Sequence, residues 1–87
     1  MWAFVRKTQF KRQYKHLHLE IQKRVNDALV ILAGERNPAK PEFHKTGKIK
    51  CLHAYPIGRQ YRILYDVDFK QYEIVLIRVG THDDVYG

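Results

Sequence analysis

Apolar residues in the first half of the chain recur with a helical period. Positions 17, 21, 25, 28, 29 and 32 are apolar, lie three or four residues apart and alternate with charged residues. This spacing predicts a long amphipathic helix. Gly34 follows as a C-terminal cap, and Pro38 and Pro41 prevent the helix from resuming.

A strand and a shorter helix are predicted ahead of the long helix. Residues 2–5 are aromatic or β-branched for the most part and precede a polar break, which favours a first strand. Thr8 can cap a helix in which Phe10 and Tyr14 lie four residues apart on one apolar face. Residues 16–18 then form the link to the long helix.

The second half of the chain changes to the patterns of β-strands. Residues 52–55, 60–67 and 74–79 are rich in apolar and aromatic side chains, which predicts three strands. Residues 56–58 form the first turn, and residues 68–71 connect the last two strands. Because both faces of the last two strands carry apolar residues, these strands are expected to be central in the sheet.

The order strand, two helices, three strands predicts one α+β domain over residues 1–87. We expect a small antiparallel sheet, made of the first strand and a C-terminal three-stranded meander, with the two N-terminal helices packed on one face. The first strand has to pair within that sheet, and a place beside the last strand would bring the N-terminus to the C-terminal segment.

Alternation along the last two strands predicts which side chains share a face. If these strands pair as a hairpin, Arg62 lies on the same face as Leu76, Arg78 and Gly80, and His82 continues their phase. One face is expected to pack on the long helix. The face with the arginines is expected to be concave, and either open or covered by a partner.

The charge of the chain is strongly positive. Lys and Arg number 16 against 9 Asp and Glu, which gives a formal net charge of +7. Such a field attracts nucleic acid or an acidic protein partner, and it carries no information about sequence readout. The simpler alternative is a basic surface that only keeps the protein soluble.

Cysteine and histidine usage indicates an intracellular protein without a metal site. Cys51 is the single cysteine, so no internal disulfide can form, which fits a reducing cytoplasm. No apolar run has the roughly 20 residues that span a bilayer. The five histidines lack the spacing of metal ligands, so we expect no metal and no small-molecule cofactor.

Cleavage of RNA without a metal needs only residue types that this chain supplies. The 2′-hydroxyl of the substrate attacks the neighbouring phosphate, one protein group takes its proton, another protonates the leaving 5′-oxygen, and cations stabilise the phosphate charge. His82 suits a proton transfer, Arg62, Arg78 and residues 45–50 supply cations, and Tyr86 could stack on a base. A surface histidine, a tyrosine at the core edge and solvating arginines are the alternatives without function.

The last two strands and the C-terminal segment resemble the RelE/ParE toxin superfamily. Residues 61–67, followed by 74–86 with Gly80-Thr81-His82-Asp83-Asp84-Val85-Tyr86, match its C-terminal half, and the ending is most similar to the YafQ branch. Residues 48–58 resemble the segment that leads into its arginine-bearing hairpin. The resemblance implies a type II toxin, namely a ribosome-dependent endoribonuclease that cuts mRNA in the decoding site and is inhibited by an acidic antitoxin.

The resemblance also implies roles for individual residues. His82 stands where the YafQ branch has its C-terminal catalytic histidine, Arg62 where RelE contacts the scissile phosphate, and Tyr86 where an aromatic ring stacks on the base. His44 matches an upstream catalytic histidine across a gap of one residue. The expected site comprises His82, Arg62 and His44 as catalytic residues and Lys45, Lys48, Lys50, Arg59, Arg78 and Tyr86 as RNA-binding residues.

Two departures separate this chain from the YafQ branch. Pro56 falls near another catalytic histidine of that branch, and Gln60 occupies the place of its catalytic aspartate, while His53 and Asp66 are out of register. The general base is therefore not assigned by the resemblance. A ParE-like inhibitor that binds DNA gyrase, or an inactive homologue that only binds an antitoxin, are the alternative functions.

Overall fold

The computed structural model describes residues 2–39 and 53–86. Within them the chain forms four strands and three helices. In chain order these are β1 (Ala3–Arg6), α1 (Thr8–Lys15), α2 (Leu19–Ala33), β2 (His53–Ile57), β3 (Tyr61–Asp68), β4 (Glu73–Thr81) and α3 (His82–Tyr86). The predicted α+β fold, with two helices between the first strand and a meander, is confirmed.

The strands form one sheet in the order β1-β4-β3-β2. Strands β2, β3 and β4 are an antiparallel meander as predicted, and β1 lies beside β4. However, β1 pairs with β4 in parallel, with Ala3 opposite Glu73, so the prediction of a wholly antiparallel sheet is wrong for this pair. The two helices return the chain so that β2 runs in the direction of β1, and two antiparallel steps then leave β4 in that direction too.

Helices α1 and α2 cover one face of the sheet, and the main core lies between them. Buried residues of α2, such as Val25 and Leu32, contact β3 and β4 residues such as Ile63, Tyr65 and Leu76. All five side chains have no accessible surface. Burying each of them contributes about 1.5–3 kcal/mol, so this face supplies most of the stability.

The ends of the helices differ from the predictions in small ways. Lys7 is the N-terminal cap of α1 with extended backbone, and Thr8 is the first helical residue rather than the cap. Helix α2 begins at Leu19, so Leu17 lies in the link. Gly34 caps α2 as predicted, and its N–H donates to the carbonyls of the preceding turn.

Two side chains of the core fasten the chain beyond α2. The Trp2 indole donates to the carbonyl of Glu35 at 2.9 Å. The hydroxyl of Tyr65 donates to the carbonyl of Pro38 at 2.5 Å, and burial raises the pKa of this hydroxyl. None of the helices within the described ranges combines the length and apolar composition needed for a membrane crossing.

Candidate functional site

An irregularity in β4 decides which residues share a face at the end of the sheet. Leu64 lies opposite Arg78 while Tyr65 lies opposite Leu76, so Ile77 is an extra residue without a cross-strand partner. Such a β-bulge shifts the alternation of side chains by one position. Leu76 therefore belongs to the helix-covered face, and the prediction that it shares a face with Arg78 is wrong.

Arg62 and Arg78 do share the other face of the sheet, as predicted. Arg62 lies opposite Gly80, and Arg78 lies opposite Leu64, so the two arginines are diagonal neighbours on adjacent strands. Both residues are half-buried. The sheet thus places two guanidinium groups on one surface, close to the start of α3.

Helix α3 packs on this arginine-bearing face. Val85 is fully buried and forms a small second core with Leu64 and Ala54. The face was expected to be open or covered by a partner, and instead the chain covers part of it with its own last helix. Between His82 and Tyr86 the backbone is helical.

A capping box begins α3. The Asp84 carboxylate accepts hydrogen bonds from the Thr81 N–H at 3.0 Å and from the Thr81 hydroxyl at 2.9 Å. Thr81 and Asp84 thus have the spacing and the reciprocal contacts of a helix N-terminal box. Gly80 precedes them with a φ of 151°, and a Cβ on it would lie 2.7 Å from the Asp84 Cβ. Only glycine allows α3 to approach the strand so closely.

Hydrogen bonds from the side chains of Arg78 and Gln13 hold α3 in place. Arg78 donates through Nη1 to the carbonyl of Val85 at 2.8 Å, in the last turn of the helix. The Gln13 amide of α1 donates to the carbonyl of Asp84 at 3.0 Å, and its oxygen accepts from the Val79 N–H at 3.0 Å. Gln13 therefore joins α1, β4 and α3, and it satisfies a backbone N–H near the end of β4.

His82 is the first residue of α3 and is exposed to solvent. Its Nδ1 lies 3.9 Å from Oδ1 of Asp83, which is too long for a hydrogen bond. His82 lies two positions after Gly80 in the sequence, and Gly80 lies opposite Arg62 on the neighbouring strand. The structure thus places Arg62 and Arg78 on one sheet face, and His82 follows the end of the strand that carries Arg78.

The remaining predicted site residues lie in the turn between β2 and β3 or outside the described part of the chain. Arg59 is exposed in the turn between β2 and β3. His53 is buried on the helix-covered face, with its ring centroid 5.4 Å from that of Tyr65, so it does not take the place of a missing catalytic histidine. The residues that lie outside the description are His44, Lys45, Lys48, Lys50 and the side chain of Tyr86.

Sequence reasoning missed Gln13 and left Asp84 without a role. The spacing Thr81-x-x-Asp84 is a recognisable capping signal, and it could have been found from the sequence. Gln13 gives no local signal, because its partners lie 66 and 71 residues away along the chain. Within residues 2–39 and 53–86, no group of three or more His, Cys, Asp or Glu side chains could hold a metal ion.

Solved structures with a similar fold include bacterial toxins. One chain of the intact E. coli RelBE toxin–antitoxin complex superposes with a TM-score of 0.77 at 15% identity, covering 93% of this chain and 96% of that one. YafQ from E. coli strain BL21(DE3) gives a TM-score of 0.77 at 13% identity over the whole of both chains. A copper-bound mutant toxin from Helicobacter pylori gives 0.76 at 23% identity, covering 99% of this chain and all of that one.

These likenesses establish the fold, at identities that do not by themselves establish the activity. No protein-family model matches the sequence, and no curated protein matches it either. The architecture is that of RelE and YafQ toxins, and the residues on the arginine-bearing face have to carry any assignment of function.

Proposed function

We propose that this protein is the toxin of a type II toxin–antitoxin system and a metal-independent endoribonuclease that cuts mRNA on the ribosome. The observation that carries the proposal is the position of Arg62 directly opposite Gly80, two residues before His82, on a face shared with Arg78. The proposal thus combines two cations on one sheet face with a proton-transfer group just beyond the end of β4, on a scaffold similar to that of RelE and YafQ toxins.

The reaction follows from the chemistry of RNA. The 2′-oxygen bonds to phosphorus while the bond from phosphorus to the 5′-oxygen breaks, which leaves a 2′,3′-cyclic phosphate and a 5′-hydroxyl. In our proposal His82 makes one of the two proton transfers, and His44 is the candidate for the other. Arg62 and Arg78 stabilise the charge on the non-bridging oxygens.

Binding of the substrate is assigned to the remaining cations and to one aromatic residue. Arg59 is exposed beside the start of β3 and contacts the RNA backbone in this proposal. Lys45, Lys48 and Lys50 do the same, and Tyr86 stacks on the base next to the cut bond.

An acidic antitoxin is the proposed protein partner, and the cytoplasm is the proposed location. The formal net charge of +7 favours a negatively charged partner that covers the basic site. The structural relative in the RelBE complex is itself part of a toxin–antitoxin assembly. Coexpression with a small acidic protein encoded by an adjacent gene should therefore suppress toxicity and yield a stable complex.

Analysis of the cleavage products tests the proposed activity. Purified protein is incubated with ribosomes programmed with a defined mRNA, and the RNA ends are mapped and characterised. We expect cuts in the decoding site that leave a 2′,3′-cyclic phosphate and a 5′-hydroxyl. A parallel incubation with DNA gyrase and plasmid should give no breaks. Gyrase-linked breaks without RNA cleavage would instead support a ParE-like inhibitor, and no activity in either assay would support an inactive homologue.

A further inference from the structure

A groove lies on the helix side of the sheet, next to the start of α3. It has a volume of about 470 Å³, which lies within the ~300–1,000 Å³ range of small-molecule sites. Its walls are α1, the link between α1 and α2, and the ends of β3 and β4. Among the side chains that line the groove are Arg12, His16, Leu17, His18, Tyr61 and Thr81.

The wall formed by α1 and the link carries one guanidinium group and two imidazole rings. Arg12 and His16 are four residues apart, so both lie on the face of α1 that borders the groove, and His18 follows in the link. All three side chains are exposed. A guanidinium beside two imidazoles is a donor set suited to a phosphate group.

The lining of the groove also includes one carboxylate and apolar side chains. The Asp84 carboxylate accepts hydrogen bonds from the N–H and the hydroxyl of Thr81. On the other side, the Tyr61 ring and the Leu17 side chain offer apolar surface, and both pack against the main core. The groove therefore combines phosphate donors with a surface on which a base can lie.

The groove also adjoins the proposed cleavage site. Thr81 forms part of its wall and is followed directly by His82. Thr81 therefore connects the groove directly to the residue that is the proposed proton-transfer group.

We infer that this groove binds one nucleotide of single-stranded RNA adjacent to the scissile bond. Arg12, with His16 and His18, holds the phosphate, and Tyr61 and Leu17 contact the base. The inference rests on the proposed function for the identity of the strand. It adds a binding site on the helix side of the sheet to the arginine-bearing face.

Equilibrium binding tests the groove separately from catalysis. A short fluorescent oligoribonucleotide is titrated with full-length protein carrying His82→Ala, so that cleavage does not disturb the measurement. We expect Arg12→Gln in this background to weaken binding about tenfold, as for loss of a charged hydrogen bond. Lys15→Gln is the matched control, because Lys15 is an exposed cation on the same helix that does not line the groove, and it should change binding less than about twofold.

The outcomes separate the two proposals. Equal effects of Arg12→Gln and Lys15→Gln would overturn the proposal that the groove binds RNA. The binding would then be explained by the overall positive charge of the protein alone. Amide chemical shifts should move at Thr81, His16 and His18 when the RNA is added, and shifts confined to the arginine-bearing face would contradict the inference. If wild type cuts no RNA while Arg12→Gln still weakens binding selectively, the proposed nuclease fails and the groove survives.

Discussion

The two faces of the sheet are built on different principles. The face under α1 and α2 is packed with large apolar side chains, among them Phe10, Leu32 and Leu76. Among the described residues, the face under α3 has a core of three buried residues, Ala54, Leu64 and Val85. On the second face, apolar packing is limited, and directional hydrogen bonds to α3 take its place.

This difference separates stability from positioning. The helix-covered face buries enough apolar area to fix the fold, so the other face can hold half-buried arginines. Among the described side chains of α3, Val85 is the buried apolar one, and the position of the helix also depends on Gly80, Gln13, Arg78 and the bonds between Thr81 and Asp84. Substitutions on the first face should therefore unfold the protein, and substitutions at the second should displace α3.

Truncation of the main core should have the largest effect. Leu76→Ala removes a side chain with no accessible surface, and we expect a loss of about 2–5 kcal/mol in the free energy of unfolding. Val30→Ala is the control, because Val30 is 74% exposed on α2 and should change stability by less than about 0.5 kcal/mol. Denaturant unfolding measures both. Similar small losses for the two variants would contradict the division between the faces.

A methyl group added at position 80 should prevent the close packing of α3 against β4. Gly80→Ala imposes an unfavourable φ and a clash with Asp84, for which we expect a cost of about 1–3 kcal/mol. Gly34→Ala is matched to it, since Gly34 has a φ of −86° and the nearest atom to its added Cβ lies at 3.6 Å. That variant should be neutral or slightly stabilising. Thermal unfolding compares them, and equal melting temperatures would refute the close approach.

Loss of the Gln13 side chain should loosen α3 while the core stays intact. Gln13→Ala removes two hydrogen bonds and exposes the Val79 N–H, so we expect about 1–2 kcal/mol of destabilisation. Amide hydrogen exchange should accelerate at Val79 and in α3 more than in α2. Gln9→Ala, one turn earlier on α1, serves as the control and should leave exchange unchanged. Uniform acceleration over the whole protein would argue against a local fastening.

The buried Tyr65 hydroxyl should give a smaller effect that depends on pH. Tyr65→Phe removes the hydrogen bond to Pro38 and should cost about 1 kcal/mol near neutral pH. Burial raises the pKa of Tyr65 above the ordinary value of 10.0, so folding disfavours the ionised form. Its contribution is present below pH 10 and is lost as pH rises towards the folded pKa. The stability difference between the variant and wild type should therefore shrink or reverse at strongly alkaline pH, as measured by urea unfolding.

The fold was largely predictable because it depends on periodicity, whereas the site depends on local irregularity. The helical spacing around Val25 and Leu29 and the apolar runs of β3 and β4 identify the elements and their order. The bulge at Ile77 has no sequence signal, and it alone reassigns Leu76 to the helix-covered face. The parallel direction of β1 follows from the helical crossover, which periodicity does not describe.

The candidate site was predictable where residue type was enough. Histidine at position 82 and the arginines at 62 and 78 suggest RNA chemistry by type and spacing, and the structure places the two arginines on one face. The bonds of Gln13 join segments that are distant in sequence, so no local pattern could show them. Packing of Val85 over Leu64 was also not expected, because the C-terminal segment is mostly polar.

The single-turnover rate of mRNA cleavage on the ribosome tests the central claim most directly. His82→Ala should lower this rate by about 10²–10⁴-fold, the range for loss of a proton-transfer group, while its melting temperature stays that of wild type because His82 is exposed. Lys23→Ala, an exposed cation on α2, should retain the wild-type rate. A rate for His82→Ala within about twofold of wild type would contradict the assignment of proton transfer to His82.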